Sequence, residues 1–226
     1  MATLEQDNIC EKHSLLSPPH KKEADNMSNK TLDLLSNRRT QYALGKQLPL
    51  SEDKVESLIK EAIRQSPSSF NSQSSRAVIL FGSESKKVWE LIGDELRKIV
   101  PSDIFAPTAD KMKGFAAGAG TILFYEDEDT IKALQEQFPL YADAFPGFSN
   151  HSAGMAQLAV WTVLSEEGIG ASLQHYSPIA DAALSDAFNV PASWKLIAQM
   201  PFGSNESEIE AKTFMQDEKR FVTLGK

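Results

Sequence analysis

At 226 residues the chain is long enough to bury one sizeable core and too short to require two. Its formal charge of −8 argues against nucleic-acid or anionic-membrane partners, because counterion release needs a basic surface. Cys10 is the only cysteine, which excludes a disulfide frame, and no apolar run reaches the ~20 residues of a membrane span.

Residues 1–29 are polar, carry Pro18-Pro19 and show almost no periodicity. They read as a disordered extension, unable to bury enough surface to offset their ordering entropy. The extension has no apolar stretch of the signal-peptide kind and carries acids that transit peptides avoid, so a cytoplasmic location is expected. From Lys30 a short helix delivers Arg38-Arg39-Thr40. Ser51 suits the N-cap of a second helix, whose Val55, Leu58, Ile59, Ala62 and Ile63 repeat at i, i+3, i+4 spacing. Pro67 ends that helix near Ser66 and opens a connector rich in hydroxyls and amides, Ser66 to Arg76.

A buried strand follows at Ala77–Phe81, then a helix marked by Val88, Leu91, Ile92, Leu96 and Ile99 and ended by Pro101. Residues 107–120 contain Pro107 and three glycines and read as a mobile segment before the strand Thr121–Tyr125. Ile131, Leu134, Phe138 and Tyr141 mark another helix. Asn150–Glu167 has hardly a polar face, so it is a helix buried on every side, in the core or at a subunit interface. Gly168 suits its C′ position. An extended piece (170–174), a helix (178–188) and a strand (196–200) precede a polar tail anchored by Phe214, Phe221 and Leu224.

Two stretches admit a functional and a bland reading. Arg38-Arg39-Thr40 offers two guanidinium forks and a hydroxyl, the donor set of a phosphate site, or else a basic pair answering the helix C-terminal dipole. The connector after Pro67 either satisfies itself or presents donors to a ligand. Gly118-Ala119-Gly120 precedes its strand and lacks a third glycine, so it is no dinucleotide loop. With no nucleophile–base pair and no metal-ligand spacing, either a cofactor carries the chemistry or there is none.

Taken in order, Arg38-Arg39-Thr40, Ser66-Pro67-Ser68-Ser69-Phe70-Asn71-Ser72-Gln73 and Glu167-Gly168-Ile169-Gly170-Ala171-Ser172 resemble the FMN-dependent nitroreductase family. Asn71–Arg76, Glu166–Tyr176 and Ser193–Gly203 are similar to the subgroup of the fungal fatty-acid-repression-mutant proteins and related bacterial enzymes. The resemblance spans residues 30–226 and implies one FMN-binding domain. That domain would be an α+β sandwich with a central mixed, mostly antiparallel sheet, in an intertwined homodimer. It implies that Arg38, Arg39 and Thr40 hold the FMN phosphate, helped by Lys212 or Arg220, because Tyr42 stands where the family usually has a cation. Pro67, Ser68, Ser69 and Asn71 match the loop that reaches the flavin from the partner subunit. Leu173, Gln174 and His175 match the segment whose backbone lies along the ring, with Lys111 or Lys113 approaching its edge. The implied activity is ping-pong hydride transfer from NADH or NADPH through FMN to nitroaromatic, quinone or similar small-molecule acceptors. The competing reading is a flavin-binding regulatory or sequestering protein with negligible turnover.

Overall fold

The computed structural model describes residues 29–209 and 211–226; residues 1–28 of the expected extension lie outside the described residues. Helix α1 (Lys30–Asn37) starts where the Asn29 side chain accepts from the Thr31 and Leu32 N–H groups, at 3.0 and 3.2 Å. A two-residue strand β1 (Leu44–Gly45) follows, then α2 (Glu52–Gln65), capped by Ser51 as its sequence predicts. Strand β2 (Ser75–Phe81) and helix α3 (Gly82–Arg97) come next.

The segment expected to be mobile is largely helical: α4 spans Ala106–Ala116 and buries Met112 and Phe115. Pro107 lies in its first turn, where a missing N–H costs nothing, and Gly114 sits on a side where a Cβ would meet no atom within 4 Å. Apolar anchoring by Met112 and Phe115 against α3 outweighs the glycine's entropy cost. Strand β3 (Gly120–Asp127), α5 (Glu128–Gln137) and a 3-10 turn (Pro139–Ala144) lead to α6 (Phe145–Glu166), the longest helix. Gly168, at φ +73°, stops it as expected. The chain then forms β4 (Gly170–Ala171), α7 (Asp181–Phe188) and β5 (Trp194–Asn205).

The sheet order is β1-β5-β3-β2, with β4 also paired to β5, and every strand pair is antiparallel. The one parallel contact among the described residues is an isolated bridge, Thr40 to Ala171. Alternation along β3 feeds both sides of the sheet. Ile122 and Phe124 pack with Val55 and Ile59 of α2 and Val160 and Leu164 of α6. Leu123 and Tyr125 pack with Trp89 of α3, Phe115 of α4 and Leu184 of α7. The result is the expected α+β sandwich, two helical layers about one sheet.

Helix α6 was expected either in the core or at a subunit interface. Its apolar circumference is not buried all round within one chain: Val160 and Leu164 are fully enclosed, but Met155 and Leu158 are 41% and 43% exposed. Two turns of apolar surface therefore face outward beside Leu35 and Leu58, across a groove of about 510 Å³.

Close approach of backbones sets the tightest packing limit. A Cβ on Gly203 would sit 2.9 Å from the Ala119 nitrogen and closer still to the Gly45 carbonyl oxygen. Gly203→Ala should therefore cost about 3 kcal/mol in urea unfolding, whereas Gly114→Ala should gain up to about 1 kcal/mol.

Candidate functional site

Helix α1 ends by turning extended at Arg38, whose N–H donates to the Leu34 carbonyl. That turn directs the next three residues alongside β4. Thr40 bridges to Ala171, and the Gln41 N–H donates to the Ala171 carbonyl at 2.9 Å. The chain then runs from Ala171 into Ser172, Leu173, Gln174 and His175. Gln174 exchanges backbone hydrogen bonds with Gln199 of β5 at 2.7 and 2.9 Å, and its Nε2 donates to Ser172 Oγ at 3.1 Å. The fully buried Gln199 side chain accepts from the Tyr176 N–H at 2.9 Å, fixing the far end of the segment. Two stretches 130 residues apart, Arg38–Thr40 and Leu173–His175, are thus brought together by backbone pairing.

The electrostatics at this junction are unbalanced. Arg38 lies 4.3 Å from the centroid of the Trp161 ring, a cation–π distance. Its Nη1 is buried without a hydrogen-bond partner, as are Gln41 Nε2 and Trp161 Nε1. Among the described residues neither Arg38 nor Arg39 has a carboxylate partner. Burial, and secondarily the neighbouring Arg39 charge, holds the Arg38 guanidinium below its ordinary pKa. Two cations side by side, one partly desolvated, form a site whose electrostatics favour an anion. His175 is exposed, while Leu173 is half-buried and Gln174 buried.

The loop carrying Pro67, Ser68, Ser69 and Asn71 stands elsewhere on α6. The Ser69 N–H donates to Ser152 Oγ at 3.4 Å. Ser152 and Trp161 are nine residues apart on one helix, about 14 Å along its axis. One chain does not bring this loop onto the arginines. Its backbone is strained: Phe70, Asn71 and Gln73 all have φ between 50° and 55°, a region that non-glycine residues rarely adopt. Gln73 N–H donates to Ser68 Oγ at 2.9 Å, and Arg76 donates to the Gln73 carbonyl.

The remaining expected residues divide. Lys111 Nζ lies 6.0 Å from the Tyr176 ring centroid, beside the Leu173–His175 segment, whereas Lys113 pairs with Asp110 at 3.4 Å. Lys212 and Arg220 are exposed along the C-terminal stretch, where Arg220 lies 5.5 Å from the Phe221 ring centroid. Sequence reasoning missed Gln41, Trp161 and Gln199. Gln41 adjoins the arginine pair, which is a signal of sorts; the other two read locally as members of a helix face and a strand.

The molecule is a three-layer α+β sandwich with an arginine pair docked at one edge of its sheet. The chain belongs to the nitroreductase family, whose sequence pattern matches residues 35–204. The putative nitroreductase HBN1 of Saccharomyces cerevisiae is 36% identical over 191 residues, 83% of this chain and 94% of that protein. The nitroreductase FRM2 of the same yeast is 33% identical over 192 residues, 82% and 93% of the two chains. These relatives bear out the expected fungal subgroup. Nitroreductase CinD from Lactococcus lactis, solved in complex with chloramphenicol, is 47% identical with a TM-score of 0.79, covering 86% of this chain and 100% of that one. CinD is also known in complex with nicotinic acid and with 4-nitrophenol.

Beside the strained loop, Arg76 Nη2 donates to Asp127 Oδ2 at 2.8 Å. Burial opposes ionisation of Asp127, but bonds from Ser193 and Thr130, the Arg76 charge and the Asp129 N–H outweigh it and hold the carboxyl below its ordinary pKa. A depressed carboxylate adds stability that is complete above its unfolded pKa of about 3.9 and is lost as pH falls through the folded value. The stability difference between wild type and Asp127→Asn should therefore be constant from about pH 7 to pH 5 and shrink below about pH 4, as urea titrations would show.

Proposed function

We propose that this protein is an FMN-dependent NAD(P)H oxidoreductase that reduces nitroaromatic, quinone or similar acceptors in a ping-pong cycle. The observation that carries the reading is the pairing of Thr40 with Ala171, which sets an anion-seeking arginine pair against the Leu173–His175 backbone. The residues fit FMN. Arg38, Arg39 and Thr40 offer the donors a phosphate monoester needs, including a buried Nη1 with no protein acceptor. Main-chain groups along Leu173–His175 suit the polar edge of a flavin ring, and Lys111 beside Tyr176 adds a positive charge on that side. Arg38, Arg39, Thr40 and the Leu173–His175 main chain would hold FMN, which would supply hydride transfer between the nicotinamide and the acceptor.

The chain's own part is to bind, orient and exclude water. Gln199 keeps the Leu173–Tyr176 backbone in one register, so donors aimed at the ring need no reorganisation. The CinD complexes with chloramphenicol and 4-nitrophenol support nitroaromatic acceptors, and the nicotinic acid complex supports a nicotinamide ring as the donor. In the same reading the protein works in the cytoplasm, where NAD(P)H is available to it. Lys212 remains the candidate for additional phosphate charge, in the C-terminal stretch.

The loop Pro67–Asn71 joins the site through a second copy. A two-fold axis crossing α6 between Met155 and Leu158 sets the Ser152 end of one helix beside the Trp161 end of its mate. That arrangement delivers the loop to the other chain's arginines and covers the exposed Met155 and Leu158. Exposed Phe214, Phe221, Val222 and Leu224 near the C-terminus provide the apolar arm of an intertwined dimer. In the same reading, residues 30–226 form the catalytic domain and residues 1–29 an extension outside it.

The decisive experiment is to purify the protein, record its flavin spectrum, and follow NADH or NADPH oxidation with 4-nitrophenol or a quinone. A yellow protein that is bleached by NADH or NADPH alone and turns the nucleotide over only with an acceptor present supports the proposal; a yellow protein indifferent to both nucleotides overturns it. Arg38→Ala should cost about 2–4 kcal/mol of FMN affinity, since it removes a charge-assisted donor fork from a doubly charged phosphate. Retention of full flavin by that variant through dialysis would show that the phosphate lies elsewhere. Light scattering should give a dimer for wild type and a flavin-poor monomer for Leu158→Glu. A wild-type monomer holding stoichiometric flavin would remove the two-chain site.

A further inference from the structure

Glu126 stands apart from every role assigned above, yet it is 1% exposed in strand β3. Its Oε2 accepts from Ser74 Oγ at 2.5 Å and from Ser149 Oγ at 2.9 Å, and its Oε1 accepts from Ser75 Oγ. Ser74 and Ser149 are themselves buried, at 1% and 6% exposure. Among the described residues no lysine or arginine pairs with this carboxylate. Three hydroxyl donors stand in for the water it has lost.

The position of those donors is informative. Ser74 and Ser75 are the exit of the strained loop, immediately after Gln73. Ser149 lies on α6, one turn before Ser152, which accepts from the loop's Ser69 N–H. Entry and exit of the loop are thus tied to adjacent turns of one helix, the exit through Glu126. Left-handed Phe70, Asn71 and Gln73 persist only if the surroundings over-determine them, and this double tie adds to the Ser68 hydroxyl on the Gln73 N–H and to the packing of Phe70 on Phe138 and Phe145.

We propose that Glu126 latches the loop Ser66–Gln73 into its flavin-facing shape, making Glu126, Ser74 and Ser75 positioning residues for the cofactor. The inference rests on the FMN reading given above. Chemistry favours a carboxylate over an amide here, because two anionic oxygens accept from three hydroxyls at once. A glutamine would offer one acceptor oxygen and turn two donor hydrogens toward Ser74, Ser75 or Ser149.

The test is a fluorescence titration of FMN into flavin-stripped full-length protein, with thermal unfolding measured alongside. Glu126→Gln should weaken FMN binding by about tenfold to a hundredfold, as expected for losing hydrogen bonds to a charged group. Ser74→Ala should weaken it by roughly tenfold, and the double variant should be no worse than Glu126→Gln, because both act through one tie. The control is Ser85→Ala, which removes an equally buried hydroxyl bonded to Thr121 at 2.8 Å on the opposite face of the sheet. It should lower the unfolding temperature and leave FMN affinity at the wild-type value. Should Glu126→Gln fail to fold, Ser74→Ala, which keeps the carboxylate and two donors, decides the question alone. Wild-type protein that binds FMN, with Glu126→Gln or Ser74→Ala binding within twofold of it, overturns the latch and leaves the FMN reading standing. So does a Ser85→Ala variant that loses affinity to the same degree. Wild-type protein that binds no FMN overturns both readings together.

Discussion

Strand β5 is engaged along both edges: β3 pairs with one, while the Gln174 bridge, β4 and β1 share the other. A central strand used in this way converts sheet register into site geometry. Because Gln199 exchanges two backbone bonds with Gln174 and takes the Tyr176 N–H on its side chain, the Leu173–His175 segment inherits the rigidity of the sheet. Because β4 carries the bridge to Thr40, the arginine pair inherits it too. Neither stretch depends on a loop of its own for position. Buried apolar packing on both faces of β3 keeps the sheet itself from shifting register, since a one-residue slip would exchange its two sets of side chains.

Charge and strain are placed where binding can use them. Guanidinium groups are usually paired when they leave water, and Arg38 instead rests on the Trp161 ring with one nitrogen uncommitted. A quadrupole steadies the cation without neutralising it, so the attraction for an anion is preserved. On the loop, three left-handed residues hold the backbone in a shape that a relaxed chain would leave. Hydroxyls from Ser68, Ser74, Ser75 and Ser152 supply the bonds that keep it there.

Features set by local chemistry were legible in the sequence. Ser51 capping α2, Pro67 closing it and Gly168 closing α6 each act within a few residues, so composition alone locates them. Helix α4 was hidden because Pro107 and Gly114 look like breakers, although Met112 and Phe115 are spaced for one buried face. Strand β5 runs from Trp194 to Asn205, well beyond the expected 196–200, because Pro201 and Gly203 imitate a strand end. Pro201 is tolerated because its carbonyl still accepts, from the Ser172 N–H at 3.3 Å. At the candidate site, the arginine pair and the Leu173–His175 stretch were readable through family resemblance. Glu126, Trp161 and Gln199 gain their roles only from partners 23 to 123 residues away, and no local pattern encodes those meetings.

The strand order also imposes a schedule on synthesis. Strand β3 is complete at Asp127, but its partner β5 begins at Trp194, roughly 65 residues later. At ribosomal speeds of about 5–20 residues per second, one edge of a strand buried along nearly its whole length in the folded protein waits on the order of 3–13 seconds for its neighbour. Until then Ala171 has no β5 to lie against, and Arg38–Thr40, made long before, has nowhere to dock. The nascent chain therefore carries its cation pair through most of translation unhoused, and the pocket comes into being only when the last strand has left the ribosome.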